Sequence, residues 1–142
     1  MKDAPESPRV VYDTNVLISA LGFKGRTARL WTLVEEERVA LILSPFILDE
    51  LERNLAKKLR LAMPAVRAIL DEVKGRAEII EPTLRLDTIK EKDSDNRILE
   101  CAISGKATVI VTGNMKHIRP LGRFRGIEIK TPGEFFDDLG EK

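Results

Sequence analysis

Four short stretches of this 142-residue chain hold the side chains best suited to chemistry. In VVYDTNVLISA (10–20), Asp13 ends an apolar run and Thr14 and Asn15 follow it. A carboxylate at the end of a buried strand is costly unless it is paired or binds a cation. SPFILDEL (44–51) brings Asp49 and Glu50, KDSDN (92–96) brings Asp93 and Asp95, and Thr112-Gly113-Asn114 ends another apolar run. Carboxylates and amides are hard oxygen donors, so a cluster of them suits Mg²⁺ or Mn²⁺. Without a cation their charges would repel and push pKa values up. Other chemistries lack their residues. His117 is the single histidine, which excludes a multi-histidine zinc site. Cys101 is the single cysteine, which excludes an intramolecular disulfide, and no P-loop glycine–lysine pattern occurs.

Each candidate also has a structural reading. Asp13 could hydrogen-bond a local turn with Thr14 and Asn15. Asp93 or Asp95 could cap a helix and oppose its dipole. On a helical wheel Glu50 is no better placed than Asp49 or Glu52, and a solvated face is the default. His117 reads as a surface residue, and Cys101, within ILECAI, as an inert core thiol.

The elements that must position these residues alternate in type. Strands are expected at RVVYD (9–13), ALILS (40–44), AEIIE (77–81), TVIVT (108–112) and IEIK (127–130). Helical spacing marks 27–38, with Leu30, Trp31 and Val34 on one face. A second helix follows Ser44-Pro45, a capping hydroxyl and a first-turn proline, with Leu48, Leu51, Leu55 and Leu59 as its stripe. Further helices are expected from Pro64 to about Lys74, from about Ser94 to a left-handed stop at Gly105, and over PGEFFDDL. Such alternation implies an α/β fold, a mainly parallel twisted sheet flanked by helices. Ligands of such sheets collect in the crevice beyond the carboxyl ends of the strands, where the four stretches converge.

Composition sets bounds. Apolar residues make up 43% and charged ones 33%, ordinary for a globular chain with a real core. No apolar stretch approaches the roughly 20 residues of a membrane span, so no membrane partner is expected. MKDAPESPR shows no apolar leader region, and a reducing cytoplasm is the expected compartment. The net charge is only +1, but its distribution is uneven. Lys24, Arg26 and Arg29 follow Asp13; Arg53, Lys57, Lys58 and Arg60 follow Glu50; Lys116, Arg119, Arg123 and Arg125 follow Asn114. A basic rim around an acidic pit suits a polyanion. Aromatics are scarce, at 5%, so base stacking is not the expected mode of recognition.

VVYDTNVLISAL, SPFILDEL, DSDNRILECAISGKATVIVTGN and a closing strand and helix occur in this order. In them the chain resembles the PIN domain nucleases, above all the VapC-like branch of toxin components of toxin–antitoxin systems. The resemblance runs from about Arg9 to Leu139. It implies one domain over 9–139 with short tails at 1–8 and 140–142, and a three-layer α/β/α fold. It implies an acidic quartet that holds one or two Mg²⁺ or Mn²⁺ ions and cuts RNA. Carried over by position, the catalytic, metal-holding acids are Asp13, Glu50 and Asp95, with Asp93 the nearby alternative to Asp95. The fourth position, usually aspartate after threonine-glycine, is Asn114, which offers a carbonyl oxygen and no charge. Thr14, Asn15, Thr112 and Asn114 would orient the acids and a water. Lys24, Arg26, Lys116, Arg119, Arg123 and Arg125 would meet RNA. A cognate antitoxin and a second copy, in a homodimer, are the implied protein partners. The rival reading is a catalytically weakened RNA- or protein-binding module, which Asn114 favours. A phosphoacceptor receiver domain shares the α/β pattern but lacks the acid pair after the first strand.

Overall fold

The computed structural model describes residues 7–22 and 25–140; Lys24, expected to meet RNA, lies outside them. The sheet is built around β1 (Arg9–Tyr12) and β4 (Val109–Val111). Val10, Val11, Tyr12, Ile110 and Val111 are fully buried, as befits strands covered on both faces. β2 (Ala40–Leu43) and the short β3 (Glu78–Ile79) extend the sheet on one side; β6 (Ile127–Lys130) and β5 (Arg123–Phe124) extend it on the other. The strand order is β3-β2-β1-β4-β6-β5, parallel throughout except for the β5–β6 pair.

Helices α1 (Thr14–Gly22) and α2 (Ala28–Glu35) connect β1 to β2, and α3 (Pro45–Lys57) and α4 (Met63–Arg76) connect β2 to β3. The chain then crosses back through α5 (Asp93–Ser104) to β4, and α6 (Pro132–Leu139) follows β6. Parallel crossovers are right-handed, so the reversal of direction after β3 places α5 on the opposite face from the earlier helices. The result is the three-layer α/β/α arrangement. Between β1 and β4 the strand order reverses, and Tyr12 is paired with Val111. Such a switch point opens a crevice at the carboxyl ends.

Local chemistry accounts for most of these boundaries. The Ser44 hydroxyl accepts the Ile47 backbone N–H at 3.3 Å, with Pro45 in the first turn, so α3 starts where expected. Its apolar stripe is Ile47, Leu48, Leu51 and Leu55, all buried. Thr131 and Glu134 form a reciprocal capping box at the start of α6. The irregular segment 81–92 is pinned to α5 by three buried polar side chains. Asn96 exchanges bonds of 2.7 and 2.8 Å with the Ile89 backbone. Glu100 accepts the Leu86 N–H at 2.8 Å, and Arg97 donates to the Leu86 carbonyl at 3.2 Å while pairing with Glu100 at 3.0 Å. These bonds fix the first turns of α5, and with them Asp95.

Besides β5, a short strand the sequence reading did not expect, three features differ from that reading. Residues 14–22 form a helix; Thr14, Val16, Leu17, Ile18 and Ala20 are all buried, and Asn15 and Ser19 alone mark its polar side, too little in nine residues to show a helical period. AEIIE yields only a two-residue, exposed edge strand at Glu78–Ile79. Gly105 ends α5 with φ −84°, in the right-handed region, and Lys106 takes the left-handed conformation instead (φ 57°). Glycine is needed at 105 for space: a Cβ there would lie 2.4 Å from Ile42 Cγ2.

Candidate metal and nucleic-acid site

Asp13 follows β1 directly and serves two elements. Its backbone N–H donates to the Val111 carbonyl at 3.1 Å, continuing the sheet, and its Oδ1 accepts the Val16 N–H at 2.9 Å, capping α1. The turn reading is thus part of its role. The Thr112 hydroxyl donates to its Oδ2. Asp13 is 4% exposed. Burial holds its pKa above the usual aspartate range, the Thr112 and backbone donors oppose that shift, and the nearby Asp95 charge adds to it.

Glu50 lies on α3 and accepts the Thr14 hydroxyl at 2.7 Å. Asp95, in the first turn of α5, is 8% exposed. Its Oδ2 meets the Asn114 amide nitrogen at 3.1 Å and His117 Nδ1 at 3.0 Å. Asn114 is itself fixed: its N–H donates to the Thr112 hydroxyl at 2.9 Å, and its Oδ1 accepts the N–H groups of Lys116 (3.2 Å) and His117 (2.9 Å). A continuous set of bonds therefore links Asp13, Thr112, Asn114, Asp95 and His117.

Asp13, Glu50, Asp95 and Asn114 all line one cleft of about 220 Å³, with Thr14, Asn15, Asn54, Lys58 and Lys92. Ile98 and Ile118 supply its apolar wall. Asp93 is not among these residues: its carboxylate meets Asn96 and Arg97, each at 3.2 Å. The α5 start separates the two aspartates, with Asp95 toward the cleft and Asp93 toward the buried arginine. In kind, the donor set of the cleft fits a hard divalent cation, since all three ionisable donors are carboxylates. Among the described residues, though, no three His, Cys, Asp or Glu side chains stand together as a group that could hold a metal. Each of the three carboxylates accepts a hydrogen bond from a protein donor.

Two outcomes correct the sequence reading. His117, read as a surface residue, touches Asp95 through its ring. The signal available was its place three residues beyond Asn114, one turn along the loop. Lys58, one of the basic residues noted after Glu50, and Lys92, which was not singled out, line the cleft, whereas Arg26, Lys116, Arg119, Arg123 and Arg125 do not. Glu50, Asn54 and Lys58 recur every four residues along one side of the helix, flanking the leucine stripe. That stripe was legible.

The expected rim is partly committed elsewhere. Arg119 makes two bonds to Glu134, of 3.0 and 2.8 Å, and holds the Glu134 carboxyl down at about 2. Arg26 lies 5.0 Å over the Phe136 ring and 4.0 Å from Asp137. Arg123 stands 3.9 Å from Glu128, and Arg125 5.2 Å over Phe124. Lys116 is exposed. Cys101 is buried under β2, and burial pushes its thiol up to about 12, so it is inert at neutral pH.

Fold and cleft together define a three-layer α/β/α protein with an acidic, oxygen-rich crevice at its switch point. Residues 9–116 match the model of the PIN domain, and the chain belongs to the PIN domain family. Its fold is similar to that of VapBC-1 from nontypeable Haemophilus influenzae (TM-score 0.62, 15% identity, covering 88% of this chain and 98% of that one). It is also similar to VapBC2 from Rickettsia felis bound to a DNA fragment from their promoter (TM-score 0.61, 18% identity, 87% and 98% covered). PAE2754 from Pyrobaculum aerophilum matches over 99% of this chain and 95% of that one (TM-score 0.59, 15% identity). No curated protein is similar enough to match. Among the described residues, no helix is long and apolar enough to cross a membrane.

Proposed function

We propose that this PIN domain is a metal-dependent endoribonuclease. Asp13, Glu50 and Asp95 would hold Mg²⁺ or Mn²⁺ in the cleft, and the ion would supply a polarised phosphate and a water of lowered pKa. The observation that carries this reading is that three carboxylates, from the end of β1, from α3 and from α5, line one small cleft at the switch point. The chain's own residues do the positioning. Thr112 and the α1 N-terminus orient Asp13, Thr14 orients Glu50, and Asn114 with His117 orients Asp95. Burial of Asp13 and Asp95 excludes water from these bonds, and a bound cation would favour the ionised form of Asp13.

Likeness in fold to two VapBC proteins supports a further reading, a toxin paired with a cognate antitoxin and working as a homodimer in the cytoplasm. The antitoxin is the partner this reading requires. The experiment is direct. Purified protein incubated with single-stranded RNA and Mn²⁺ should cut it internally, and EDTA or Asp95→Asn should abolish cutting. Asn114 and the spread carboxylates favour a second reading, a PIN-fold module that binds RNA or protein without cutting. Wild type that binds diverse RNAs across Mn²⁺ concentrations yet never cuts them would select it.

A further inference from the structure

The nuclease reading leaves open how many cations the cleft takes and what meets the RNA phosphate; the inference below rests on that reading. At the fourth acidic position, Asn114 turns its oxygen into its own loop, where two backbone N–H groups occupy it at 3.2 and 2.9 Å. It presents its amide N–H to Asp95 at 3.1 Å. The side chain that could complete a second cation site therefore shows the cleft a donor, not a ligand. His117 binds the same Asp95 oxygen, Oδ2, at 3.0 Å, which leaves Oδ1 as the oxygen without a protein donor among these contacts.

Positive charge is nevertheless present. Lys58 and Lys92 line the cleft beside the three carboxylates. Lys58 is anchored, its Nζ donating to Asn15 Oδ1 at 3.3 Å. It closes the same helical face that carries Glu50 and Asn54, so α3 brings an acid, an amide and an ammonium group to the cleft in one row. With two ammonium groups against three carboxylates, a single divalent ion already makes the cleft net positive. Phosphate neutralisation then needs no second ion.

We propose that the cleft takes one divalent cation per chain, and that the Lys58 ammonium supplies the second positive charge that meets the RNA phosphate. The test combines calorimetric titration with Mn²⁺ and binding of a short single-stranded RNA in Ca²⁺ over a range of salt. Wild type should bind one Mn²⁺ per chain. Lys58→Gln keeps a donor for Asn15 but no charge; it should lose roughly tenfold in RNA affinity and about one unit of salt slope. Lys58→Arg should retain most of both. If wild type cuts RNA, Lys58→Gln should also lower kcat by roughly a hundredfold. Two Mn²⁺ ions per wild-type chain would overturn the one-ion assignment. RNA binding by Lys58→Gln equal to wild type in affinity and slope, or no RNA binding by wild type, would overturn the lysine assignment. Absence of cleavage by wild type would count against the nuclease reading alone, because stoichiometry and salt slope are read without it.

Discussion

Asn114→Asp is the most informative single change, because it inverts one contact whose geometry is known. The Asn114 amide nitrogen lies 3.1 Å from Asp95 Oδ2. An aspartate would keep one oxygen on the N–H groups of Lys116 and His117 and set the other against Asp95. Two full charges at that separation repel by about 5 kcal/mol at an effective dielectric of about 20, an upper bound before the side chains move apart or one is protonated. The lost charge-assisted hydrogen bond adds about 1.5 kcal/mol or more. After relaxation, a loss of about 2 kcal/mol in metal-free stability is expected. At this chain length that lowers Tm by about 8 °C in EDTA. A cation between the carboxylates removes the repulsion, so saturating Mn²⁺ should restore most of the loss. Mn²⁺ affinity should rise roughly tenfold or more, and a second ion per chain becomes available. Differential scanning calorimetry in EDTA and in Mn²⁺ reads both effects. If the variant melts at or above wild type in EDTA, Asp95 and residue 114 do not face each other as described. If Mn²⁺ binds it more weakly than wild type, Asn114 is a structural residue only.

Asp13, with its pKa raised mainly by burial, releases its proton in the unfolded chain before the folded one, so stability falls as pH rises from about 4 through the folded value. Asp13→Asn, neutral throughout, should therefore melt above wild type at about pH 7 in EDTA and lose that advantage near pH 3.5; an equal shift at both pH values refutes the burial argument. Thr112→Val removes both the hydroxyl on Asp13 and the acceptor of the Asn114 N–H, and should weaken Mn²⁺ binding by roughly tenfold. Calorimetry showing unchanged affinity would mean that Thr112 does not orient the acid. Gly105→Ala drives a methyl against Ile42 and should cost about 1–3 kcal/mol in denaturant unfolding while leaving Mn²⁺ affinity alone.

Five of the six helices, and every strand except β5, were legible because their signals are local. Apolar runs marked β1, β2 and β4, while Ser44-Pro45 marked a helix start. α1 was not legible, since a nine-residue helix with only Asn15 and Ser19 on its polar side shows too little of a period. The cleft residues were legible as types but not as contacts. Periodicity left Glu50 level with Asp49 and Glu52; its position in the cleft comes from the angle at which α3 packs against the switch point. The separation of Asp95 from Asp93 depends on Asn96, Arg97 and Glu100, which tie segment 81–92 to α5 through bonds between residues up to 14 apart in sequence. The contact of His117 with Asp95 and the place of Lys58 within the cleft became visible only once the loop after β4 and the end of α3 were set beside β1.

The central claim is that Asp13, Glu50 and Asp95 hold a divalent cation together, and calorimetric titration of Mn²⁺ into wild type, Asp13→Asn, Glu50→Gln and Asp95→Asn tests it most directly. Each carboxylate lines the same cleft, so each single neutralisation should weaken binding by roughly tenfold or more relative to a wild type that binds Mn²⁺ saturably. Affinity in all three variants equal to wild type, or a wild type that binds no Mn²⁺, would contradict the claim and leave the acids as the hydrogen-bonding framework of a non-catalytic PIN domain.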